Sequence, residues 1–285
     1  MKFLILGSSG MAGHTISTYL SEQGHIVDGL DRNTVSLTTN IVGDVKNVDL
    51  LKDVLHSTKY DSVINCIGIL NQFADENKEL AVYLNSYIPH LLADITKHSE
   101  TQIIHMSTDC VFSGRTGKYS EFDFKDGDSF YDRTKALGEL NDNKNITFRN
   151  SIIGPDLNKS GIGLLNWFMQ QNGTIKGYTK AMWSGLTTLE LAKVMESAAK
   201  VKATGLYNMV YKESISKFDL IQLFNNYLRN NELNIEQFNG FIADKSLVRT
   251  QFEFNYLIPN YEKMISELSD WIRKHRQLYP HYNLS

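Results

Sequence analysis

Cysteine is scarce in this chain of 285 residues, which holds only Cys66 and Cys110. Two thiols make no disulfide framework and suit a reducing cytoplasm. Proline is rarer than usual, at 4 residues, and glycine, at 19, is ordinary, so collagen-like, low-complexity and disordered chains are excluded. Neither sign of charge dominates. The 29 basic and 32 acidic residues leave a formal charge of −3, and no long basic run offers a nucleic acid polymer a hold by bulk electrostatics. Long apolar runs are missing too. Met1-Lys2-Phe3-Leu4-Ile5-Leu6 begins as a secretion signal would, but the run stops at Gly7, short of an h-region and with no small-residue cleavage site after it. No stretch is long enough to span a bilayer. What is present, 42% hydrophobic and 21% charged residues with 14 Tyr and 14 Phe, reads as a soluble, cytoplasmic globular protein. A chain this long buries a large core, as one elaborate domain or two joined ones.

Short apolar runs alternate with amphipathic stretches. Strands are expected at residues 3–6, 25–30, 62–67 and 102–107, with helices at 11–23, 49–57 and 80–98 between them. That alternation implies a parallel sheet covered on both faces. Beyond about residue 150 the rhythm loosens, leaving helices at 186–200, 217–228 and 261–276 and a strand at 205–210. The fold class expected is α/β, a Rossmann-type doubly wound parallel sheet with a smaller C-terminal substrate-binding lobe. Residues 1–150 would form the doubly wound part and 151–285 mainly the lobe, with about 185–212 returning to the sheet.

Gly7-Ser8-Ser9-Gly10-Met11-Ala12-Gly13 is a GxxGxxG between the first strand and the first helix. Glycines there give the tight turn and let backbone N–H groups meet a pyrophosphate at the positive end of the helix. A plain strand-to-helix turn is the blander reading. Against it stands Asp31, an acidic residue after the second strand, at about the 20-residue offset of a dinucleotide fingerprint. Asp31 would accept from the adenosine ribose and favour NAD(H). Arg32 beside it would pair with a 2′-phosphate and favour NADP(H). The two argue in opposite directions, and the choice of cofactor stays open.

Tyr131-Asp132-Arg133-Thr134-Lys135 is a YxxxK, and among the 14 tyrosines only Tyr131 has a lysine four residues on. On a helix the two side chains share a face, and a nearby cation lowers a phenol's pKa toward a usable proton donor. Upstream, the strand at 102–107 runs into Ser107-Thr108-Asp109, and in a parallel sheet ligands bind at the carboxyl ends of strands.

These motifs together resemble the extended short-chain dehydrogenase/reductases. Within them, Ser107-Thr108-Asp109-Cys110-Val111-Phe112-Ser113-Gly114 and Tyr131-x-x-x-Lys135-Ala136-x-Gly138-Glu139 look most like the dTDP-4-dehydrorhamnose reductase family. Phe148-Arg149-Asn150-Ser151-Ile152-Ile153-Gly154 resembles that family's R-T-S segment. The match is close over residues 1 to about 155. It thins beyond, where Ser184-Gly185-Leu186-Thr187 resembles a G-A-P-T turn and Asp244-Lys245-Ser246-Leu247 a late substrate-binding motif. The resemblance implies a reductase of a nucleotide-linked 4-keto-6-deoxy sugar, acting in surface polysaccharide synthesis with NADP(H) or NAD(H).

Roles follow residue by residue from the resemblance. Tyr131 would protonate the carbonyl oxygen, Lys135 would hold the nicotinamide ribose and depress the Tyr131 pKa, and Thr108 would hydrogen-bond the same oxygen. Gly7, Gly10, Met11, Gly13, Asp31 and Arg32 would bind the cofactor together with Asp44 and Val45 at the adenine, Cys66 and Gly68 after the fourth strand, and Asn85 on the helix near the active site. Ser107, Asp109, Cys110, Trp183 and Lys245 would meet substrate. For Trp183, core packing is an equal alternative. Cys110 departs from the tyrosine usual at its position and matches the proton-transferring cysteine of GDP-fucose synthase. That enzyme pairs its cysteine with a histidine in the following lobe, whereas no histidine lies here between His105 and His275. The alternatives are an epimerase-reductase using Cys110 and a cofactor-binding regulatory subunit like that of methionine adenosyltransferase. No histidines have metal-ligand spacing. The partner expected is a nucleotide sugar, with a homodimer left open.

Overall fold

The computed structural model describes residues 1–34 and 37–284. The first half runs β1 (Lys2–Leu6), α1 (Met11–Glu22), β2 (Ile26–Asp31), β3 (Thr39–Val42), α2 (Val48–Ser57), β4 (Ser62–Asn65), α3 (Asn71–Glu76) and α4 (Lys78–Ala81). A π-helical turn (Val82–Tyr87) then leads into α5 (Ile88–Thr96), β5 (Gln102–Ser107), a short 3₁₀ turn (Asp109–Val111), α6 (Phe130–Leu137) and β6 (Ile146–Arg149). The second half runs β7 (Ser151–Ile153), α7 (Leu164–Met169), β8 (Thr174–Trp183), β9 (Gly185–Thr187), α8 (Thr188–Val201) and β10 (Gly205–Asn208). It ends with β11 (Ile215–Ser216), α9 (Lys217–Arg229), β12 (Asn234–Asp244) and α10 (Tyr261–Lys274).

Seven strands form one sheet in the order β10-β6-β5-β4-β1-β2-β3, parallel at each pairing. This is the doubly wound α/β arrangement expected from the sequence, with the order reversing between β1 and β4. Period-2 alternation is visible along β1. Leu4 and Leu6 enter the core beneath α2 and α5, with Val63, Leu92 and Ile103. Phe3 and Ile5 enter the opposite core with Ile16 and Leu20 of α1 and Leu191 and Met195 of α8. That second core runs on without a break to Phe168 of α7, Phe224 of α9 and Trp271 of α10.

The C-terminal lobe is a three-stranded sheet, β11-β8-β12. β8 and β12 run parallel with an irregularity between Phe238 and Ile242. Two helical expectations shift. The helix expected at 80–98 is split by the π-helical turn around Asn85. The one expected at 186–200 begins at Thr188, because Gly185–Thr187 pairs with β7 and the Thr187 hydroxyl caps the helix by accepting from Glu190 N–H at 3.1 Å. No described helix is long and apolar enough to cross a membrane.

Candidate active site

The loop between β1 and α1 is built for close approach. A Cβ on Gly13 would stand 2.0 Å from the Gly7 carbonyl oxygen, so only glycine lets α1 start this near the strand end. α1 begins at Gly10 with no side-chain cap, which leaves its first N–H groups for an anion at the positive end of the helix. A cavity of about 490 Å³ opens there, lined by Gly7, Gly10, Asp31, Arg32, Asp44, Val45, Cys66 and Gly68. Eight of the expected cofactor residues are thus brought together. Gly13 lies beneath the loop, and Met11 opens α1 beside it. A backbone cradle, uncapped helix N–H groups and an acidic side chain at the end of β2 fit a dinucleotide.

Asp31 does something the sequence did not disclose. One carboxylate oxygen accepts from both the backbone N–H and the hydroxyl of Ser9, at 2.9 and 2.6 Å. It braces the loop as well as facing the cavity. Asp44 turns its own corner by accepting from Lys46 N–H at 2.9 Å. Cys66 is half-buried at the cavity wall, and burial pushes its thiol up to about 12.

The catalytic helix α6 starts at Ser129, which forms a capping box with Asp132. Tyr131 and Lys135 follow on one face, both buried. The Lys135 ammonium donates to the Met106 carbonyl at 2.6 Å, and burial pushes its pKa down to about 8. For Tyr131 the expected lowering by Lys135 is not what the site imposes. Burial comes first and holds the phenol well above its ordinary value, with Cys110 adding to it and the nearby Thr108 side chain opposing it. Desolvation dominates, so near neutrality Tyr131 keeps its proton and can donate it.

Thr108 caps the 3₁₀ turn, its hydroxyl accepting from Cys110 N–H and donating to Asp109 Oδ1, each at 3.1 Å. Asp109 accepts from the Ser151 hydroxyl through Oδ2 at 2.8 Å, and its burial raises its pKa. Cys110 packs beside Tyr131, Ala74 and Ala81. Burial first, and then the Asp109 charge, hold its thiol up at about 12. Lys245 reaches in from the end of β12, its ammonium 3.7 Å from Asp132.

Two of the expected substrate residues are engaged within the protein. The Ser107 hydroxyl donates to Glu139 Oε1 at 2.7 Å, inside a buried network in which Arg149 grips both Glu139 oxygens at 2.6 and 2.7 Å. The Ser107 hydroxyl proton is taken up in that network. Trp183 lies in the core against Tyr261, ring centroids 5.6 Å apart.

Asn85 proves to be a clamp. Its amide oxygen accepts from Ile69 N–H at 2.9 Å, while its NH₂ donates to the Ile69 carbonyl and the Thr134 hydroxyl at 3.0 and 3.1 Å. It ties the loop after β4 to α6. Ser9, Ser151 and the Glu139–Arg149 pair were missed by the sequence reading. All four stood inside recognised motifs, Ser9 in the glycine loop, Glu139 at the end of the YxxxK stretch, and Arg149 and Ser151 in the segment after the catalytic helix. Among the described residues, no group of three or more His, Cys, Asp or Glu is placed to hold a metal ion.

Residues 1–241 match the family model of the RmlD substrate binding domain. The probable low-salt glycan biosynthesis reductase Agl14 of Haloferax volcanii is 32% identical over 144 residues, 49% of this chain and 48% of that one. The chain therefore spans about half the length of the curated relatives it matches. Among solved structures, a dTDP-4-dehydrorhamnose reductase of Clostridium acetobutylicum superposes with a TM-score of 0.79 at 21% identity, over 96% of this chain and 100% of that one. A dTDP-4-dehydrorhamnose reductase of Bacillus anthracis, solved in complex with NADP, gives 0.77 at 19% identity, over 94% and 98%. At these identities the structural likeness is one of fold.

Proposed function

Because the chain belongs to the family of the RmlD substrate binding domain, we propose that it is an NAD(P)H-dependent reductase of a nucleotide-linked 4-keto-6-deoxy sugar, serving surface polysaccharide synthesis. The observation that carries this reading is the pairing of the Gly7–Gly13 cradle with a buried Thr108, Tyr131 and Lys135 at the carboxyl end of the same sheet. A bound reduced nicotinamide supplies the hydride. The Tyr131 hydroxyl donates its proton to the carbonyl oxygen as that oxygen gains charge, and the Thr108 hydroxyl steadies the same oxygen. The Lys135 ammonium, anchored on the Met106 carbonyl, keeps positive charge beside the phenol and stabilises the phenolate left after transfer.

Cys110 enters this reading as a packing residue beside Tyr131, since a thiol held up at about 12 stays protonated near neutrality and supplies no thiolate base. NADPH and NADH are both admitted, because Asp31 and Arg32 line the same end of the cavity. The two free thiols are consistent with work in the cytoplasm. The deciding experiment is turnover of a panel of nucleotide 4-keto sugars with each cofactor in parallel. Oxidation of NAD(P)H that depends on one of them is expected. Cofactor binding with no turnover of any would move the protein to the regulatory-subunit reading.

A further inference from the structure

One stretch of chain, the one that follows α10, holds α1 near both of its ends. At the far end, Glu22 accepts from the Lys274 ammonium at 2.6 Å and lies 3.0 Å from His275 Nε2. At the near end, a short 3₁₀ turn (Arg276–Leu278) delivers Tyr279 against His14 of α1. Both side chains are wholly buried. His14 Nδ1 lies 2.9 Å from the Gly10 carbonyl oxygen, and its Nε2 lies 2.9 Å from the Tyr279 hydroxyl. The two rings meet edge to face, centroids 5.7 Å apart. Tyr279 stacks in turn on Tyr282, whose hydroxyl accepts from Asp156 N–H at 2.9 Å in the loop after β7.

The partners decide which nitrogen carries the proton. A carbonyl only accepts, so Nδ1 bears the hydrogen and Nε2 keeps its lone pair for the Tyr279 hydroxyl. Burial lowers the His14 pKa and so favours this neutral form. The Gly10 carbonyl also accepts the His14 backbone N–H at 3.0 Å, so it is gripped twice. That carbonyl shares a peptide plane with Met11 N–H, and the two point opposite ways. Met11 N–H is the first of those left open at the uncapped start of α1. Fixing the carbonyl therefore aims the N–H at the anion site between β1 and α1. A cradle set before its ligand arrives binds more tightly than one the ligand must order.

We infer that Tyr279, acting through His14, is a positioning residue for the cofactor pyrophosphate, although nothing in the stretch after α10 lines the cofactor cavity. The inference rests on the dinucleotide reading of the glycine loop and is independent of the sugar. Coupling of this kind is reciprocal, so bound cofactor should tighten the docking of Tyr279.

NADPH and NADH are titrated by calorimetry into the parent, Tyr279→Phe, His14→Ala and the double variant, with Tyr261→Phe for comparison. Tyr261→Phe also removes a buried hydroxyl bonded to a carbonyl, that of Glu213, but at the end of α10 remote from Lys274. Tyr279→Phe should weaken cofactor binding about three- to tenfold, the worth of one buried hydrogen bond. His14→Ala should weaken it at least as much. The double variant should bind no worse than His14→Ala, because the hydroxyl has lost the group it acts on. His14→Asn, whose amide can stand in for Nδ1–H at the Gly10 carbonyl, should recover part of the affinity. Tyr261→Phe should bind as the parent does. In the parent, NADPH should slow amide hydrogen exchange at residues 276–282. If His14→Ala does not fold, Tyr279→Phe and the exchange measurement decide alone. Parental affinity in folded Tyr279→Phe, losses that multiply in the double variant, or exchange unchanged by NADPH each overturns the inference. So does an equal loss in Tyr261→Phe, which would reduce the effect to general loosening. A parent that binds neither cofactor overturns the dinucleotide reading itself, and the inference with it.

Discussion

Tyr131 and Lys135 are four residues apart, yet enclosure shifts them in opposite directions. Burial disfavours the charged form of each, so it raises the phenol and lowers the ammonium. Tyr131→Phe removes the transferable proton with little change of shape. Its kcat should fall by about 10²–10⁴ while NADPH affinity and melting temperature stay near parental. Steady-state kinetics beside a calorimetric binding curve checks both. The Lys135 shift also has a signature in stability. A lysine whose folded pKa sits at about 8 binds fewer protons when folded than when unfolded, between that pH and its ordinary value of 10.5. In that window stability rises with pH; below it the buried charge is a constant cost, roughly 3 kcal/mol for a shift of this size. The difference in unfolding free energy between parent and Lys135→Met should therefore grow in the parent's favour from pH 8 upward. A difference flat across pH 7 to about 10 would mean that the ammonium is not desolvated as the structure has it.

At the scale of elements, two contacts set where the catalytic helix lies. A Cβ on Gly138, at the end of α6, would stand 1.9 Å from the Asn85 carbonyl oxygen in the π-helical turn. Gly138→Ala should push α6 off that turn and cost about 1–3 kcal/mol by urea unfolding, with kcat falling because Tyr131 moves with the helix. At the other side of the site, Glu139→Gln leaves the buried Arg149 guanidinium without its counter-charge. The loss expected is about 3–5 kcal/mol, read from the same unfolding curves. An unchanged midpoint would show that the pair is not buried in solution. The sequence disclosed α6 through its YxxxK and left its seating unseen, since each contact joins different elements, Gly138 to the π-helical turn and Glu139 to β6.

Across the whole molecule, one apolar core joins the sheet to the lobe. Phe3 and Ile5 of β1 share a cluster with Phe168, Phe224 and Trp271, so the halves expected at 1–150 and 151–285 share one interior, beside which the core under α2 and α5 lies wholly within the first. Urea unfolding followed by tryptophan fluorescence and by far-ultraviolet circular dichroism should give one coincident transition. A fragment of residues 1–155 should stay unfolded, because the face of β1 carrying Phe3 and Ile5 would lose α8, α9 and α10. Two separated transitions would mean that the lobe folds on its own.

The amino-acid order by itself determined the parallel sheet of the first half, the glycine loop and the Tyr131–Lys135 pair. In each case the cause is local: β-rich runs at strand length, a backbone that must pass close to itself, and helical spacing that turns two side chains the same way. The long strands β8 and β12 were illegible. Inward positions of β8 are filled by Gly177 and Ala181, and a Cβ at Gly177 would stand 2.6 Å from Phe218. The period-2 signal vanishes where a large neighbour from α9 fills the space. Only the tertiary structure decided that Ser107 serves Glu139, that Trp183 belongs to the core and that Asp31 holds Ser9. Each of those outcomes depends on which distant group arrives first to satisfy a hydroxyl, a ring or a carboxylate. That competition is settled by packing between elements, and the spacing of residues along one element carries no record of it.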